Sequence, residues 1–219
     1  MQHLSLKYAL QARNMHCKHV RKIHGGFIMM TTPIRTKEEI EQMKTYFLSK
    51  NRYRDYALFV TGINTALRIG DLLELKWVDI YDSSKSTYRR HIELYEQKTH
   101  KYAEIALNES CIKSFKLLRK HSPFICETEY IFCHKNDHFR HISRNRAYHI
   151  IKEAAMENHI EGNISCHSLR KTFGYHAWKK GTPSALIMNI YNHSSIEITK
   201  RYLSISQDDK DDLYNSMNL

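Results

Sequence analysis

A chain of 219 residues, 42% of them hydrophobic, can bury a core without covalent staples, and its 7 Gly and 3 Pro exclude a low-complexity or extended disordered polymer. Lys and Arg outnumber Asp and Glu by 34 to 23, and the net charge of +11 favours a polyanionic partner such as nucleic acid, although a merely basic soluble protein can show the same balance. The five cysteines are odd in number and form no CxxC, which argues against a disulfide framework and fits a reducing cytoplasm, and no apolar run approaches membrane-spanning length.

Residues 1–28 are basic and His-rich but lack the apolar stretch of a signal peptide. They read either as a basic arm or as an extension upstream of the functional start, so residues 1–35 are set apart from a domain over 36–219. Thr36-Lys37-Glu38-Glu39 has the form of a capping box, with Ile40, Met43 and Phe47 following on one helical face. A more apolar helix is expected over 55–66. Arg68-Ile69-Gly70-Asp71 interrupts it, and Leu72, Leu73, Leu75 and Trp77 suggest another. Strand character appears at 91–96 and 102–107, and the polar segment 97–101 between them reads as a hairpin loop.

Further helices are expected at 109–121, 143–158, 166–180, 183–191 and 195–204, with an acidic-headed one at 207–216 and a buried strand at 130–133. The run Cys126, Cys133, His134, His138, His141 matches no common zinc-ligand spacing. The pattern describes an α+β domain, mostly α-helical, with a small antiparallel β-sheet.

Several residues stand out chemically. His167 and Arg170 are three apart and share a helix face. With Ser165 as N-cap, they flank a helix start whose free N–H groups favour an anion. They suit a phosphate clamp, but taken alone a solvated basic helix start is the more ordinary reading. His193 and Tyr202 are nine apart and would face opposite ways on one helix. Ser194 and Glu197 have capping-box spacing, however, so a helix beginning after Ser194 leaves His193 on the preceding turn, free to point toward Tyr202. Taken singly, Arg68 is a surface arginine ending a helix and Tyr202 is one aromatic among 14 tyrosines. Asp71 is expected to brace the helix carrying Arg68. Lys171, Lys179 and Lys200 either meet phosphates or line a solvated face, while Trp77, Phe173 and Trp178 are expected to pack the core.

In order along the chain, T-A-L-R-I-G-D-L-L, Q-K-T-H-K, H-S-L-R-K-T-F and N-H-S-S-I-E-I-T-K-R-Y-L resemble the motifs of tyrosine recombinases, the phage-integrase-like site-specific recombinases. The resemblance covers residues 36–217 and is nearest to compact members from Gram-positive bacteria and their mobile elements. It implies that Arg68, Lys98, His167, Arg170, His193 and Tyr202 are catalytic, with Tyr202 the nucleophile; local chemistry alone does not separate Lys98 from Lys101. It further implies the tyrosine-recombinase catalytic-domain fold, a 3′-phosphotyrosyl intermediate, and no nucleotide cofactor or metal. Double-stranded DNA with inverted half-sites would be bound by a homo-tetramer, with Leu213 and Tyr214 as candidate contacts to a neighbouring protomer. A type IB topoisomerase-like relaxing enzyme and a non-catalytic DNA-binding regulator are the alternatives on the same scaffold. Asn192 stands where many relatives have Gly, and Asn tolerates the left-handed turn expected there. Larger members also carry an N-terminal DNA-clamping domain, for which residues 1–35 are too few.

Overall fold

The computed structural model describes residues 20–23, 26–124, 126–203, 205 and 207–217. The chain divides into two compact units, Met1–Thr31 and Thr32–Leu219. In the first, β1 (Val20–Ile23) and β2 (Gly26–Met29) pair antiparallel, with Val20 opposite Met29. The expectation for residues 1–28 otherwise lies outside the described residues.

The second unit reaches back to Thr32. Ile34 is fully buried and donates its N–H to Thr172 Oγ1 at 2.9 Å, and Thr32 donates to the Asn163 carbonyl at 3.2 Å. Helix α1 (Lys37–Ser49) opens on the expected capping box: Thr36 Oγ1 accepts the Glu39 N–H, and the Glu39 carboxylate accepts the Thr36 N–H. Met43 and Phe47 are buried beneath it, with Ile40 partly so.

Helix α2 (Tyr53–Thr65) is the central core helix and ends at Ala66, whose φ of 56° is left-handed. That residue turns the chain sharply into α3 (Ile69–Leu73), with Arg68 at its N-cap. The helix expected through Trp77 is split in two. Asp79 Oδ2 accepts the Lys76 N–H at 2.7 Å and starts a separate short helix α4 (Trp77–Ile80). Strands β3 (Tyr81–Asp82) and β4 (Thr87–Tyr88) form one ribbon, and β5 (His91–Tyr95) with β6 (Tyr102–Ala106) form the expected hairpin around 97–101.

Helix α5 (Glu109–His121) is capped by Asn108, whose Oδ1 accepts the Cys111 N–H, and ends on Arg119, Lys120 and His121, which suit its negative end. The strand expected at 130–133 is displaced. Tyr130 makes only a bridge to Lys76, and Ile131 and Phe132 are buried without a ladder. The paired strands are β7 (Cys133–His134) and β8 (Asp137–His141). Strand β8 was missed because its polar residues show no alternation. Among the described residues the antiparallel content thus consists of separate two-stranded ribbons rather than one sheet.

Helices α6 (Arg144–Glu157), α7 (Cys166–Lys179), α8 (Ser184–Ile190), α9 (Ile196–Leu203) and α10 (Gln207–Ser216) complete the unit, within about a residue of expectation. Two cores result. The larger unites α1 to α6 around Phe47, Phe59, Phe115 and Phe132. The smaller holds Ala66, Ile187, Tyr191 and Leu203, with Phe173, Trp178 and Tyr202 packed on it. Helix α10 is fastened to its own chain by the buried Asp209, which meets Arg35 and Lys179 at 3.0 Å and accepts from the Tyr175 hydroxyl at 3.1 Å. Leu213 and Tyr214 face outward, 60% and 78% exposed. Among the described residues no helix is long and apolar enough to cross a membrane.

Candidate active site

The site is built on the smaller core, where the end of α2 meets the start of α7. Gly62 permits that approach: a Cβ there would lie 2.6 Å from Leu169 Cδ1. Helix α7 begins after Ser165, whose N–H is accepted by Ser168 Oγ at 3.0 Å, so His167 and Arg170 occupy the first turns as expected.

Arg170 is almost fully buried. Its Nη1 donates to the Ala66 carbonyl and its Nη2 to the Tyr191 carbonyl at 2.9 Å, with the guanidinium 4.6 Å from the Tyr191 ring centroid. The Tyr191 hydroxyl returns a hydrogen bond to the Arg170 carbonyl at 2.6 Å. Arg68 Nη2 reaches the same Tyr191 carbonyl at 3.5 Å, and its Nη1 lies 2.6 Å from Glu96 Oε1. One buried backbone oxygen therefore gathers both arginines.

Tyr191 ends α8, and Asn192 follows with φ 51°, the left-handed turn expected of it. The Asn192 N–H bonds to the Asn189 carbonyl and the His193 N–H to the Met188 carbonyl, which closes the helix and redirects the chain. The cap of α9 falls one residue later than expected. Ser195 Oγ, not Ser194, accepts an N–H three residues on, from Ile198 at 3.3 Å. His193 still lies outside α9, with Nδ1 3.1 Å from Thr199 Oγ1.

Tyr202 is half-buried in α9. Its hydroxyl is 3.4 Å from His167 Nδ1, and the His167, Tyr191 and His193 ring centroids lie 4.9, 4.9 and 5.0 Å from its own. Burial pushes the Tyr202 phenol up to about 12, against the opposing pull of the Arg170 and Arg68 charges. His167 is lowered to about 4 by desolvation first and then by the Lys171, Arg170, Arg68 and His193 charges. His167 as a whole residue is nonetheless exposed to water. Burial, then Arg170 and Arg68, likewise lowers His193 to about 4. At neutral pH the site thus holds a protonated phenol beside two neutral imidazoles and two guanidiniums.

The structure brings together Arg68, His167, Arg170, His193 and Tyr202. Lys98 stands exposed in the β5–β6 turn, tied to the others only through that turn. Asp71 is buried and braces the hairpin rather than its own helix, its Oδ1 accepting the Gln97 N–H at 2.9 Å. Lys171 does not face solvent; it is 3% exposed, with Nζ 5.6 Å from the Tyr202 ring centroid. Lys179 pairs with Asp209 and Asp212, and Lys200 stays exposed. Trp77 is buried in the larger core, and Phe173 and Trp178 pack on the smaller one. Among the described residues, no group of three or more His, Cys, Asp or Glu is arranged to hold a metal ion.

Sequence reasoning missed Tyr191 and Glu96. Nothing local singles out Tyr191. Glu96 was visible in principle, since Ile92, Leu94 and Glu96 share the inward phase of β5.

The phage integrase family model matches residues 34–208. A probable integrase/recombinase of Bacillus subtilis (strain 168), YoeC, is 41% identical over 177 residues, covering 80% of this chain and 91% of the relative. The tyrosine recombinase XerD of Staphylococcus saprophyticus (strain ATCC 15305) is 23% identical; the match covers 81% of this chain but only 59% of the relative. Among solved structures, the XerA recombinase superposes with a TM-score of 0.69 at 18% identity, covering 89% of this chain and 67% of that one.

Proposed function

The chain belongs to the phage integrase family of site-specific tyrosine recombinases, and we propose that Tyr202 is the nucleophile with which it cuts and rejoins DNA. The observation that carries this assignment is the Tyr202 hydroxyl lying 3.4 Å from a neutral His167 Nδ1, above two arginines that share one carbonyl.

A phenol of ordinary pKa about 10 is a poor nucleophile at neutral pH, so attack needs both a proton acceptor and a neutralised phosphate. Tyr202 Oη attacks the scissile phosphorus while its proton passes to His167 Nδ1. Arg68 and Arg170 stabilise the charge that grows on the non-bridging oxygens. His193 donates to one of those oxygens. That bond needs the imidazole proton on Nε2, which holds when Thr199 Oγ1 is the donor in its 3.1 Å contact with His193 Nδ1. The 5′ oxygen leaves with a proton from Lys98. The products are a 3′-phosphotyrosyl bond and a free 5′-hydroxyl. Attack by a 5′-hydroxyl from the partner duplex reverses the steps, with phosphodiester energy conserved and no nucleotide cofactor required.

The substrate is double-stranded DNA with inverted half-sites, bound by pairs of protomers that assemble as a tetramer in the cytoplasm. Leu213 and Tyr214, outward on α10, are the candidate contacts between protomers.

On a nicked suicide duplex, the wild type should accumulate a covalent protein–DNA adduct and Tyr202→Phe should not. An adduct formed by the Phe variant would transfer the role to another residue. Relaxation of supercoiled DNA without exchange between two marked sites would replace the recombinase by a topoisomerase-like enzyme.

A further inference from the structure

Glu96 follows β5 directly, just before the turn that carries Lys98. It alternates inward with Ile92 and Leu94 and is 3% exposed. A carboxylate buried this deeply is costly unless its oxygens are fully paired. Each partner comes from a different segment of the site. Oε1 faces Arg68 Nη1 at 2.6 Å, at the start of α3. Oε2 accepts from the Thr99 hydroxyl inside the turn and from Asn192 Nδ2 at 2.9 Å, in the left-handed turn before His193. The backbone of Glu96 completes the turn, accepting the His100 N–H at 2.8 Å and donating to the Lys101 carbonyl at 2.9 Å.

Lys98 is thereby held on both sides while its own side chain stays free. Gln97 is fixed by Asp71 through its N–H and by Arg144 Nη2 through its side-chain oxygen at 3.0 Å, and Thr99 is fixed by Glu96. Burial by itself would raise the Glu96 carboxyl, but the Thr99 hydroxyl, Arg68 and Asn192 outweigh it and keep the group ionised. The same charge offsets the mutual repulsion of Arg68 and Arg170.

We infer that Glu96 is a positioning residue for strand cleavage, which sets the Lys98 turn, Arg68 and the His193 turn in one register through a single buried carboxylate. The inference rests on the roles given above to Lys98 and Arg68, and no contact between Glu96 and DNA is part of it.

The test compares wild type, Glu96→Ala, Glu96→Gln and Lys98→Ala as full chains, in single-turnover cleavage of the suicide duplex at saturating DNA. Each is run with the ordinary 5′ oxygen and with a 5′-bridging sulfur, a thiolate that leaves without an acid. DNA affinity and melting temperature are recorded alongside. Glu96→Ala should lose roughly 100-fold in cleavage rate, the low end for loss of a positioned acid, with DNA affinity within about threefold of wild type. The sulfur substrate should recover at least about tenfold of that loss, as is expected also for Lys98→Ala. Glu96→Gln keeps the shape and part of the hydrogen bonding, so its rate should fall between Glu96→Ala and wild type. Wild-type cleavage by Glu96→Ala would overturn the inference. So would a loss that the sulfur substrate leaves untouched and Glu96→Gln does not restore, since that is the behaviour of a residue needed only for folding. If wild type itself forms no adduct with either substrate, the recombinase chemistry assigned to Tyr202 fails, and with it the premise; the two failures are therefore distinct.

Discussion

Gly174, in the middle of α7, offers the sharpest test of how the site is supported. A Cβ at this position would lie 2.2 Å from the Tyr191 hydroxyl, 2.9 Å from its Cζ and 3.0 Å from Leu203 Cδ2. Tyr191 is completely buried, so its ring has no solvent to retreat into. Replacing glycine by alanine in a helix normally stabilises by about 1 kcal/mol. Here the added methyl should cost about 1–3 kcal/mol in overpacking. Displacing the phenol from the Arg170 carbonyl should cost a further ~1–3 kcal/mol for a buried group left unpaired. The net expectation for Gly174→Ala is a destabilisation near 3 kcal/mol, or about 6–12 °C in melting temperature for a domain of this size. Moving Tyr191 also moves the carbonyl that holds Arg170 and Arg68, so adduct formation on the suicide duplex should drop at least about tenfold even well below the melting point. Combining Gly174→Ala with Tyr191→Phe removes the atom struck first, and the double variant should be less damaged than the two single effects added together. Calorimetry and single-turnover cleavage read both quantities. A Gly174→Ala protein as stable as wild type and within twofold in cleavage would refute the claim that Tyr191 is the keystone of the site.

Stability should also respond to acid. His167 and His193 have folded-state values of about 4 against an ordinary 6.5, so the unfolded chain takes up protons first as pH falls from 6.5 toward 4. The melting temperature should therefore decline across that window, with no contribution from these groups above it. Because both rings are partly in water, about 1 kcal/mol apiece is the expected scale. Replacing both by Gln should flatten the slope, and an unchanged slope would show that these imidazoles are not depressed. Asp209→Asn should loosen α10 from its own chain. Since Arg35 and Lys179 can turn to water, the cost should be about 1–2 kcal/mol rather than that of a fully buried pair. Limited proteolysis should then cut near α10 sooner than in wild type, and unchanged protection would mean that Asp209 is not the fastening.

What was legible in the sequence was local. Helix boundaries followed from caps and apolar spacing, while the turn at Asn192 was expected from the family resemblance and allowed by what Asn tolerates as backbone. The one-residue error at the start of α9 arose because Ser194 and Ser195 both fit a cap, and only the fold decides which hydroxyl meets an N–H. The supports of the site were not legible for the opposite reason. The contact between Glu96 and Asn192 spans 96 residues, and that between Arg170 and Ala66 spans 104. Of the two readings of Lys171, the solvated face fails, because a basic residue in a basic helix reads as solvated until the helix is packed. Its burial under Tyr202 is decided by α9, a separate element.

The two perturbed values at the centre of the site constrain how the reaction starts. With the Tyr202 phenol raised and the His167 imidazole lowered, complete proton transfer before attack is disfavoured. The exposure of His167 to water reduces that penalty, and so does an arriving phosphate, whose negative charge offsets the cations that depress the imidazole. The same phosphate disfavours a free phenolate at Tyr202, so its arrival cannot simply ionise the nucleophile. On the proposed mechanism the proton moves as the oxygen–phosphorus bond forms, while the developing charge is transferred to oxygens faced by Arg68 and Arg170. Away from DNA no such acceptor exists, and the tyrosine remains a protonated phenol packed against Tyr191. If Tyr202 is the nucleophile as proposed, the burial that makes it look like an ordinary core aromatic also keeps it a protonated phenol until a phosphate occupies the site.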